Sequence, residues 1–383
     1  MTGSIYLDFN ASTPVAPEVA AAMAPILERF GNPTSDHWAG LALRTAIAHA
    51  RGQVAHLLGC DPVEVVFTSG GTEANNWALK GVFYAADGPC HIITSGVEHP
   101  AIVEPCRFLQ RLGARVTIVG VDRTGMVDPE DIRRAIGPDT RLISIMHANN
   151  EVGTIQPIAE ISRIAREHGV LMHTDAAQSI GKIDASVDAL GVDLLTVAGH
   201  KLYAPIGIGG LFVRAGVTIE PFVHGAGHER GRRAGTENVL EIVGLGVACA
   251  LAEQWIDSAE IGRLRDELWD RIHGRLPRAV LNGHPTKRLP NTLNVSIPSI
   301  AGSEILARMD GVAASTGSAC HSGAVTLSPV LRAMGVSPEV GMGTLRFSLG
   351  RSTTEQEIEE VAARLGRAVA QLDAGQLVRG GGT

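Results

Sequence analysis

Apolar and polar positions alternate with two different periods along the first two thirds of the chain. Apolar runs of strand length are separated by amphipathic stretches of helical length. Two helices are predicted first, at 17–29 and 40–58. The strands predicted after them are 65–68, 91–95, 115–119, 142–147, 170–174, 193–197 and 210–213, and the helices between them are 72–84, 100–112, 128–136 and 158–168. This alternation predicts an α/β fold with a mostly parallel central sheet and ligands beyond the carboxyl ends of its strands.

The pattern changes after an apolar-rich helix predicted at 241–255. A further helix, short strands near 280–281 and 292–297, another strand at 346–349 and a final helix from 354 predict a separate α+β domain. We therefore predict a large α/β domain at residues 15–255. The smaller α+β domain takes residues 1–14 and 256–383.

Composition excludes several classes of protein. Hydrophobic residues make up 45% of the 383 residues and charged residues 19%, which is typical of a globular chain. The formal net charge of -7 argues against direct binding of nucleic acid. Neither a membrane span nor a signal peptide is predicted. Five scattered cysteines without metal-ligand spacing predict a cytoplasmic location and no metal site.

One lysine stands at a turn that follows a predicted buried strand. Lys201 follows Gly199 and His200, and Pro205 comes soon after it. Burial lowers the pKa of a lysine, so its amine can act as a nucleophile. A solvated loop lysine is the alternative from this segment alone.

Polar groups of two further kinds follow other predicted strands. Gly70 and Gly71 lead from a strand into a helix, which suits a phosphate, and Asp175 follows another strand. Helix capping is the alternative reading of both features. An amine, a carboxylate and a phosphate cradle at neighbouring strand ends meet the needs of pyridoxal phosphate.

Seven segments in order along nearly the whole chain resemble the signature segments of NifS-like cysteine desulfurases. These are fold-type I pyridoxal-phosphate enzymes of the class V aminotransferase group. The segments are Ser69-Gly70-Gly71-Thr72-Glu73, Glu98-His99-Pro100, Asn149-Asn150-Glu151-Val152-Gly153, His173-Thr174-Asp175-Ala176-Ala177-Gln178, Gly199-His200-Lys201, Arg233-Ala234-Gly235-Thr236-Glu237-Asn238 and Gly317-Ser318-Ala319-Cys320.

The resemblance implies roles around the cofactor ring. Lys201 would bind the cofactor covalently and later carry the α-proton of the substrate. Asp175 would pair with the ring nitrogen, and Gln178 would bind the ring hydroxyl. His99 would stack on the ring and act as an acid or base.

The resemblance also implies residues for the phosphate and for the substrate. Gly71, Thr72 and His200 would hold the phosphate, and Thr236 would reach it from the second subunit of a homodimer. Asn150, beside the cofactor, and Arg346 would fix the carboxylate of the substrate. The chain departs from the common pattern of the family at several positions. Ala198 stands where many members have a serine, Ile206 where many have a basic residue and Phe9 where many have Asn or Tyr, and Gly225-Ala226-Gly227-His228-Glu229 replaces a usual Gly-Gly-Gly-Gln-Glu.

Cys320 separates this chain from an ordinary transaminase. Its small, polar, glycine-containing surroundings predict an exposed loop in which a thiolate could take the sulfur of L-cysteine as a persulfide. The implied activity is conversion of L-cysteine to L-alanine, with transfer of the sulfur to an acceptor protein. The acceptor could serve iron–sulfur assembly, tRNA thiolation or DNA phosphorothioation. The alternatives are a selenocysteine lyase, and an aminotransferase or β-lyase that does not use Cys320.

Overall fold

A computed structural model describes residues 3–321 and 324–380, with side chains for all of these except 318–325 and 376–380. The helices are α1 (Pro17–Leu27), α2 (Trp38–Leu58), α3 (Gly71–Ala85), α4 (Pro100–Arg111), α5 (Pro129–Ala135), α6 (Ile158–Glu167), α7 (Val187–Leu190), α8 (Val239–Ala252), α9 (Ala259–Arg275), α10 (Gly302–Leu306), α11 (Pro329–Ala333), α12 (Pro338–Gly341) and α13 (Glu355–Gly380). The strands are β1 (Ile5–Tyr6), β2 (Val65–Thr68), β3 (His91–Ser95), β4 (Arg115–Val119), β5 (Thr140–Ser144), β6 (Leu171–Asp175), β7 (Leu194–Ala198), β8 (Gly209–Val213), β9 (Val280–Asn282), β10 (Thr292–Ser296), β11 (Val312–Ala313), β12 (Ser315–Thr316), β13 (Ser318–His321), β14 (Ala324–Leu327) and β15 (Thr344–Ser348).

The central sheet has seven strands in the order β2-β8-β7-β6-β5-β3-β4. Strands β7, β6, β5, β3 and β4 run parallel, and β8 is antiparallel to both of its neighbours. Helices cover both faces, because Val65 and Phe67 belong to a core cluster with α2 and α8, whereas Val66 packs with α3. The mostly parallel α/β sheet predicted from the sequence is thus confirmed.

A smaller group of elements has its own sheet and core. The four-stranded antiparallel sheet β12-β15-β10-β9 packs with α9 and α13. Ile5 and Leu7 belong to the same core cluster, although they lie at the start of the chain. This grouping is in keeping with the predicted domains 15–255 and 1–14 with 256–383, whose boundaries stay a prediction.

Two sequence predictions differ from the structure. The strand predicted at 142–147 ends at Ser144. The N–H groups of Ile145 and His147 still donate to carbonyl oxygens of β6, but the Met146 N–H donates to the carboxylate of Glu98. The segment around Cys320 was expected to be a loop, but β13 and β14 pair there as an antiparallel hairpin, with Cys320 opposite Val325. The run of residues 324–327 suits a strand once a partner strand lies beside it.

Within the described residues, no single helix has the length and apolar character to cross a membrane. Two helical segments joined by a bend of 71°, Val239–Trp255 and Ala259–Arg275, are together long and apolar enough to do so, by length and composition only.

A buried ion pair fixes the position of β2, which leads into the Gly70-Gly71 turn. The Arg51 guanidinium donates to both carboxylate oxygens of Glu229, at 2.7 and 2.6 Å. Glu229 also accepts a hydrogen bond from the Phe67 N–H at 3.1 Å, and Arg51 lies 4.5 Å from the centre of the Phe67 ring. Both ionic side chains are at least nine-tenths buried.

We expect Arg51→Met to lower the free energy of unfolding by roughly 3–5 kcal/mol, because it leaves the Glu229 carboxylate buried without its partner. Urea unfolding of the parent and variant measures the difference. Arg107→Ala, which breaks the exposed pair with Glu104, serves as the control and should cost about 1 kcal/mol or less. Equal small losses from both substitutions would contradict the expectation.

Candidate active site

The parallel strands end at one cavity of about 510 Å³. Asp175 ends β6 and Ala198 ends β7, and the segments that follow these strands form part of the cavity wall. The cavity is lined by nine residues that the sequence singled out: Gly71, Thr72, His99, Asn150, Asp175, Gln178, His200, Lys201 and Arg346. Ala198 and Ile206, two of the departures from the family pattern, also line it. The structure brings these residues together, and their individual roles stay predictions.

Lys201 lies on a single 3-10 turn, Gly199–Lys201, directly after β7. A Cβ at Gly199 would lie 2.8 Å from the carbonyl oxygen of Ile208, so the turn needs a glycine. The Lys201 amine donates to the carbonyl oxygens of Asn10, at 2.6 Å, and Ala11, at 2.7 Å. Burial, followed by the charge of Arg346, lowers the pKa of Lys201 from 10.5 to about 8. The amine is therefore nucleophilic closer to neutral pH than that of an exposed lysine.

Asp175 is buried at the carboxyl end of β6. Its carboxylate accepts hydrogen bonds from the Asn75 side chain at 2.7 Å and from the Ala177 N–H at 2.9 Å. These two donors fix the orientation of the carboxylate. The side-chain oxygen of Asn75 is buried and has no hydrogen-bond partner among the described residues.

His99 forms the N-cap of α4 on another wall of the cavity. Its Nδ1 accepts a hydrogen bond from the Ala101 N–H at 3.1 Å, so the neutral ring carries its proton on Nε2. Burial lowers the pKa of His99, and the nearby carboxylate of Asp175 opposes that shift. The ring is therefore available as a neutral stacking partner.

The N-terminus of α3 provides the predicted phosphate cradle. Gly70 has a φ of 147°, and a Cβ at Gly71 would lie 3.1 Å from the Cβ of Ala198. Free N–H groups of a first helical turn attract an anion. Burial lowers the pKa of His200 to about 4, so this side chain is neutral at pH 7 and can offer a phosphate a hydrogen bond but no charge.

Arg346 reaches the cavity from β15 in the smaller sheet. Its guanidinium donates to the Asn150 carbonyl oxygen at 2.9 Å, to Asp8 at 2.7 Å and to Ser315 at 3.0 Å. Its buried Nε has no partner among the described residues. The side chain is therefore held in place by Asp8 and keeps donor capacity for a ligand carboxylate.

Sequence reasoning missed three residues beside the site. Asp8 pairs with Arg346, while Asn10 and Lys182 contact Gln178, whose Oε1 accepts from the Lys182 amine at 2.8 Å. Asp8 and Asn10 lie in the opening segment before α1, to which the sequence pattern assigns no chemistry. The one sequence signal for Asp8 is its charge, because it closely follows the apolar β1 segment. No sequence signal points to Asn10 or Lys182.

Two predicted site residues are not placed in the cavity. Thr236 lines a separate cavity with Ser69, Glu229 and Arg233. The backbone of Cys320 lies in β13, but its side chain is outside the described part of the structure. Across residues 3–321 and 324–380, no group of three or more His, Cys, Asp or Glu side chains is arranged to hold a metal ion, and the expectation of no metal site stays a prediction.

Comparison with known proteins identifies the family. Residues 5–361 match the family described as Aminotransferase class-V. The chain belongs to the class V aminotransferase family. A protein named cysteine desulfurase IscS from Dictyoglomus turgidum is 48% identical over 379 residues, which cover 97% of this chain and 96% of that protein. A second protein of that name, from Methanosarcina thermophila, is 47% identical, and the matched region covers 94% of this chain and 90% of that protein.

Solved structures give the same assignment within the class V aminotransferase family. A NifS-like protein superposes with a TM-score of 0.89 at 36% identity, covering 96% of this chain and 99% of that one. A structure described as SspA in complex with cysteine has a TM-score of 0.81 at 37% identity and covers 90% and 98% of the two chains. The fold-type I assignment from the sequence is confirmed, and the chain is a pyridoxal-phosphate enzyme of the cysteine desulfurase group.

The cavity fits pyridoxal phosphate. Lys201 would bind the cofactor, Asp175 would pair with the ring nitrogen and the first turn of α3 would hold the phosphate. Bound there, the cofactor supplies a sink for the electron pair of the substrate Cα–H bond. The unpartnered oxygen of Asn75 and the unpartnered Nε of Arg346 are buried polar atoms that a polar ligand in this cavity could satisfy.

We expect the rate at which cofactor-free protein captures pyridoxal phosphate to rise with pH, with a midpoint near pH 8. The reason is the lowered pKa of Lys201, since only the neutral amine attacks the aldehyde and its fraction grows through that pKa. Stopped-flow absorbance between pH 6 and pH 10 measures the rate. Lys201→Arg should show no covalent capture at any pH, and a parent midpoint near pH 10 would refute a desolvated amine.

Proposed function

We propose that this protein converts L-cysteine to L-alanine and transfers the sulfur to Cys320 as a persulfide, which passes it to an acceptor protein. The observation that best supports this proposal is the pairing of β12 with β15, which places Ser315 opposite Arg346. Ser315 hydrogen-bonds Arg346, and Cys320 follows five residues later in the chain. Five extended residues span at most about 17 Å, so the Cys320 backbone is tethered close to the predicted binding site for the substrate carboxylate.

The proposed reaction balances without a further reactant. The Cβ–S bond of the substrate breaks, and an S–S bond forms between that sulfur and Sγ of Cys320. The electron pair left on the substrate carbon takes up a proton and becomes the methyl group of alanine. The thiol of Cys320 thereby becomes a persulfide, and a later thiol of the acceptor can take the outer sulfur.

The residues of the cavity divide these tasks. Arg346 and Asn150 bind and orient the carboxylate of the substrate, and the Lys201 amine holds the α-proton and returns it. Asp175 keeps the cofactor ring nitrogen protonated, and His99 stacks on the ring. The Gln178 amide binds the ring hydroxyl, while Thr72, Gly71 and His200 hold the phosphate.

A homodimer in the cytoplasm completes the proposal. Thr236 lies outside the cavity of its own chain, which suits a residue that serves the site of a second copy. Large apolar side chains are exposed near the start of α2: Phe30 is 72% exposed and Trp38 75% exposed. Such a patch is suited to burial against another subunit. The identity of the acceptor protein is open among the pathways named above.

Cys320→Ala should lower the rate of alanine and sulfide release from L-cysteine at least 100-fold while the protein keeps its cofactor, because no thiol then takes the sulfur. Product assays under a thiol reductant measure both rates. Cys60→Ala is the matched control, since Cys60 is a free, half-buried cysteine whose pKa burial raises to about 12. This variant should keep the parent rate.

The same assay separates the rival activities. Parent-level alanine and sulfide release by the Cys320 variant would support an aminotransferase or β-lyase that does not use this thiol. A parent that releases selenium from selenocysteine but almost no sulfide from cysteine would support a selenocysteine lyase.

Mixing two inactive variants tests the shared site. If Thr236 serves the partner, a dimer of one Lys201→Ala chain and one Thr236→Ala chain contains one complete site. We expect activity to reappear when the two proteins are dissociated and reassembled together. Each variant reassembled alone is the control. A mixture no more active than the average of the two variants would place Thr236 in its own chain's site.

A further inference from the structure

Asn10 uses its main chain and its side chain to contact different parts of the active site. Its side chain is 1% exposed. Its carbonyl oxygen accepts from the Lys201 amine at 2.6 Å and from the Gln178 Nε2 at 2.9 Å. Its side-chain Nδ2 donates to the Asn150 carbonyl oxygen at 3.2 Å and to the Thr292 hydroxyl at 2.8 Å.

The half-buried Lys182 fixes the orientation of two amides. Its amine contacts the Asn10 Oδ1 at 3.3 Å and the Gln178 Oε1 at 2.8 Å. The amine donates both hydrogen bonds, so both amides turn their oxygens towards it. The Asn291 side chain also donates to the Asn10 Oδ1, at 3.0 Å. The Nδ2 of Asn10 is consequently left to face the Asn150 carbonyl oxygen, which only accepts.

A continuous series of contacts then joins the two halves of the site. The Asn150 carbonyl oxygen, which accepts from Asn10, also accepts from the Arg346 guanidinium at 2.9 Å. The path from the Lys201 amine to the guanidinium therefore runs through Asn10 and the main chain of Asn150. The Lys201 turn follows the central sheet, whereas Arg346 belongs to the smaller sheet.

We propose that Asn10, oriented by Lys182, is a positioning residue that holds the amine of Lys201 and the main chain of Asn150 at a fixed separation. The inference rests on the proposed function, in which Lys201 moves the α-proton and Asn150 and Arg346 hold the carboxylate. Both groups act on one small substrate, so a shift of either misplaces the α-proton relative to the amine. The side chain of Asn10 contacts the main chain of Asn150, and it is the Asn10 carbonyl oxygen that contacts the Lys201 amine.

Asn282 provides a matched comparison. It is also a buried asparagine, and its Nδ2 donates to Asn294 Oδ1 and Ser296 Oγ, both at 2.8 Å. These bonds stay inside the smaller sheet and reach no residue of the cavity. Loss of side-chain hydrogen bonds is therefore common to variants of Asn10 and Asn282, whereas loss of the link between Lys201 and Asn150 is specific to Asn10.

The experiment compares Asn10→Ala, Asn10→Asp and Asn282→Ala, each loaded with pyridoxal phosphate. Binding of L-alanine, followed by the change in cofactor absorbance, gives a readout that needs no turnover. The kcat and KM for L-cysteine and the melting temperature complete the set. Asn10→Asp keeps an oxygen towards Lys182 but replaces the donor that faces Asn150 and Thr292, so it tests these two bonds without removing the side chain.

We expect both Asn10 variants to retain cofactor and to bind L-alanine about tenfold more weakly, with a comparable rise in KM for cysteine. Asn282→Ala should lower the melting temperature and change these constants less than twofold. Alanine binding at the parent level in Asn10→Asp would overturn the proposal. The same would follow if Asn10→Ala and Asn282→Ala lost stability equally and both kept parent constants.

Two further outcomes keep the inference separate from the proposed function. If the Asn10 variants do not fold, Lys182→Met removes the orienting donor without changing Asn10, and parent-level alanine binding by that variant would overturn the proposal. A parent that binds L-alanine but makes none from cysteine would overturn the proposed function. Weakened alanine binding in the Asn10 variants would still support the positioning role in that case.

Discussion

The desolvation of the Lys201 amine is the constraint on which the site depends. An ammonium group below the protein surface is costly unless its donors are satisfied, and here the carbonyl oxygens of Asn10 and Ala11 accept from it. Those carbonyls belong to the opening segment, whose Asn10 N–H donates to Ser348 in β15. The segment therefore carries the restraint from the smaller sheet to the lysine, which follows the central sheet.

Few free charges remain in and around the cavity. Burial lowers the pKa of His200 to about 4, so this side chain is neutral at pH 7, and burial raises the pKa of Glu98 to about 8. Glu98 accepts hydrogen bonds from the Ser95 hydroxyl and the Met146 N–H beside His99. The Asp, Glu, Lys and Arg side chains that line the cavity are Asp175, Lys201, Glu73, which pairs with Arg233, and Arg346, which pairs with Asp8. This arrangement leaves recognition of an anionic phosphate and carboxylate to a few well-fixed groups.

The hairpin of β13 and β14 is attached next to the site at its base. The Gly317 N–H donates to the Thr344 carbonyl oxygen, and the Ser328 N–H donates to that of Gly317. Ser328 also donates through its hydroxyl to Glu151, which adjoins Asn150. A Cβ at Gly317 would lie 2.5 Å from that of Thr344, so this close attachment needs a glycine. The chain on either side of the hairpin is thus packed against the residues predicted to bind the substrate carboxylate.

The sequence by itself determined the fold class and most of the chemistry. Strand and helix periods predicted the parallel sheet, and strand-end residues such as Asp175 and Lys201 meet because the carboxyl ends of parallel strands share one edge. These are local signals, carried by residues next to one another in the chain. The family motifs added residues such as Arg346, whose neighbours alone announce no function.

Only the tertiary structure decided the contacts between distant segments. Asp8 and Arg346 are separated by 338 residues and Asn10 and Lys182 by 172, and neither pair has a local signature. The hairpin at Cys320 also depends on the pairing of two strands, whereas composition alone predicted a loop there. The pKa of Lys201 also depends on burial and on Arg346, both products of packing. The local sequence pattern determines which groups lie at the strand ends. Long-range packing determines the charge state of these groups and the distances between them, because charge state and distance depend on residues that are far apart in the sequence.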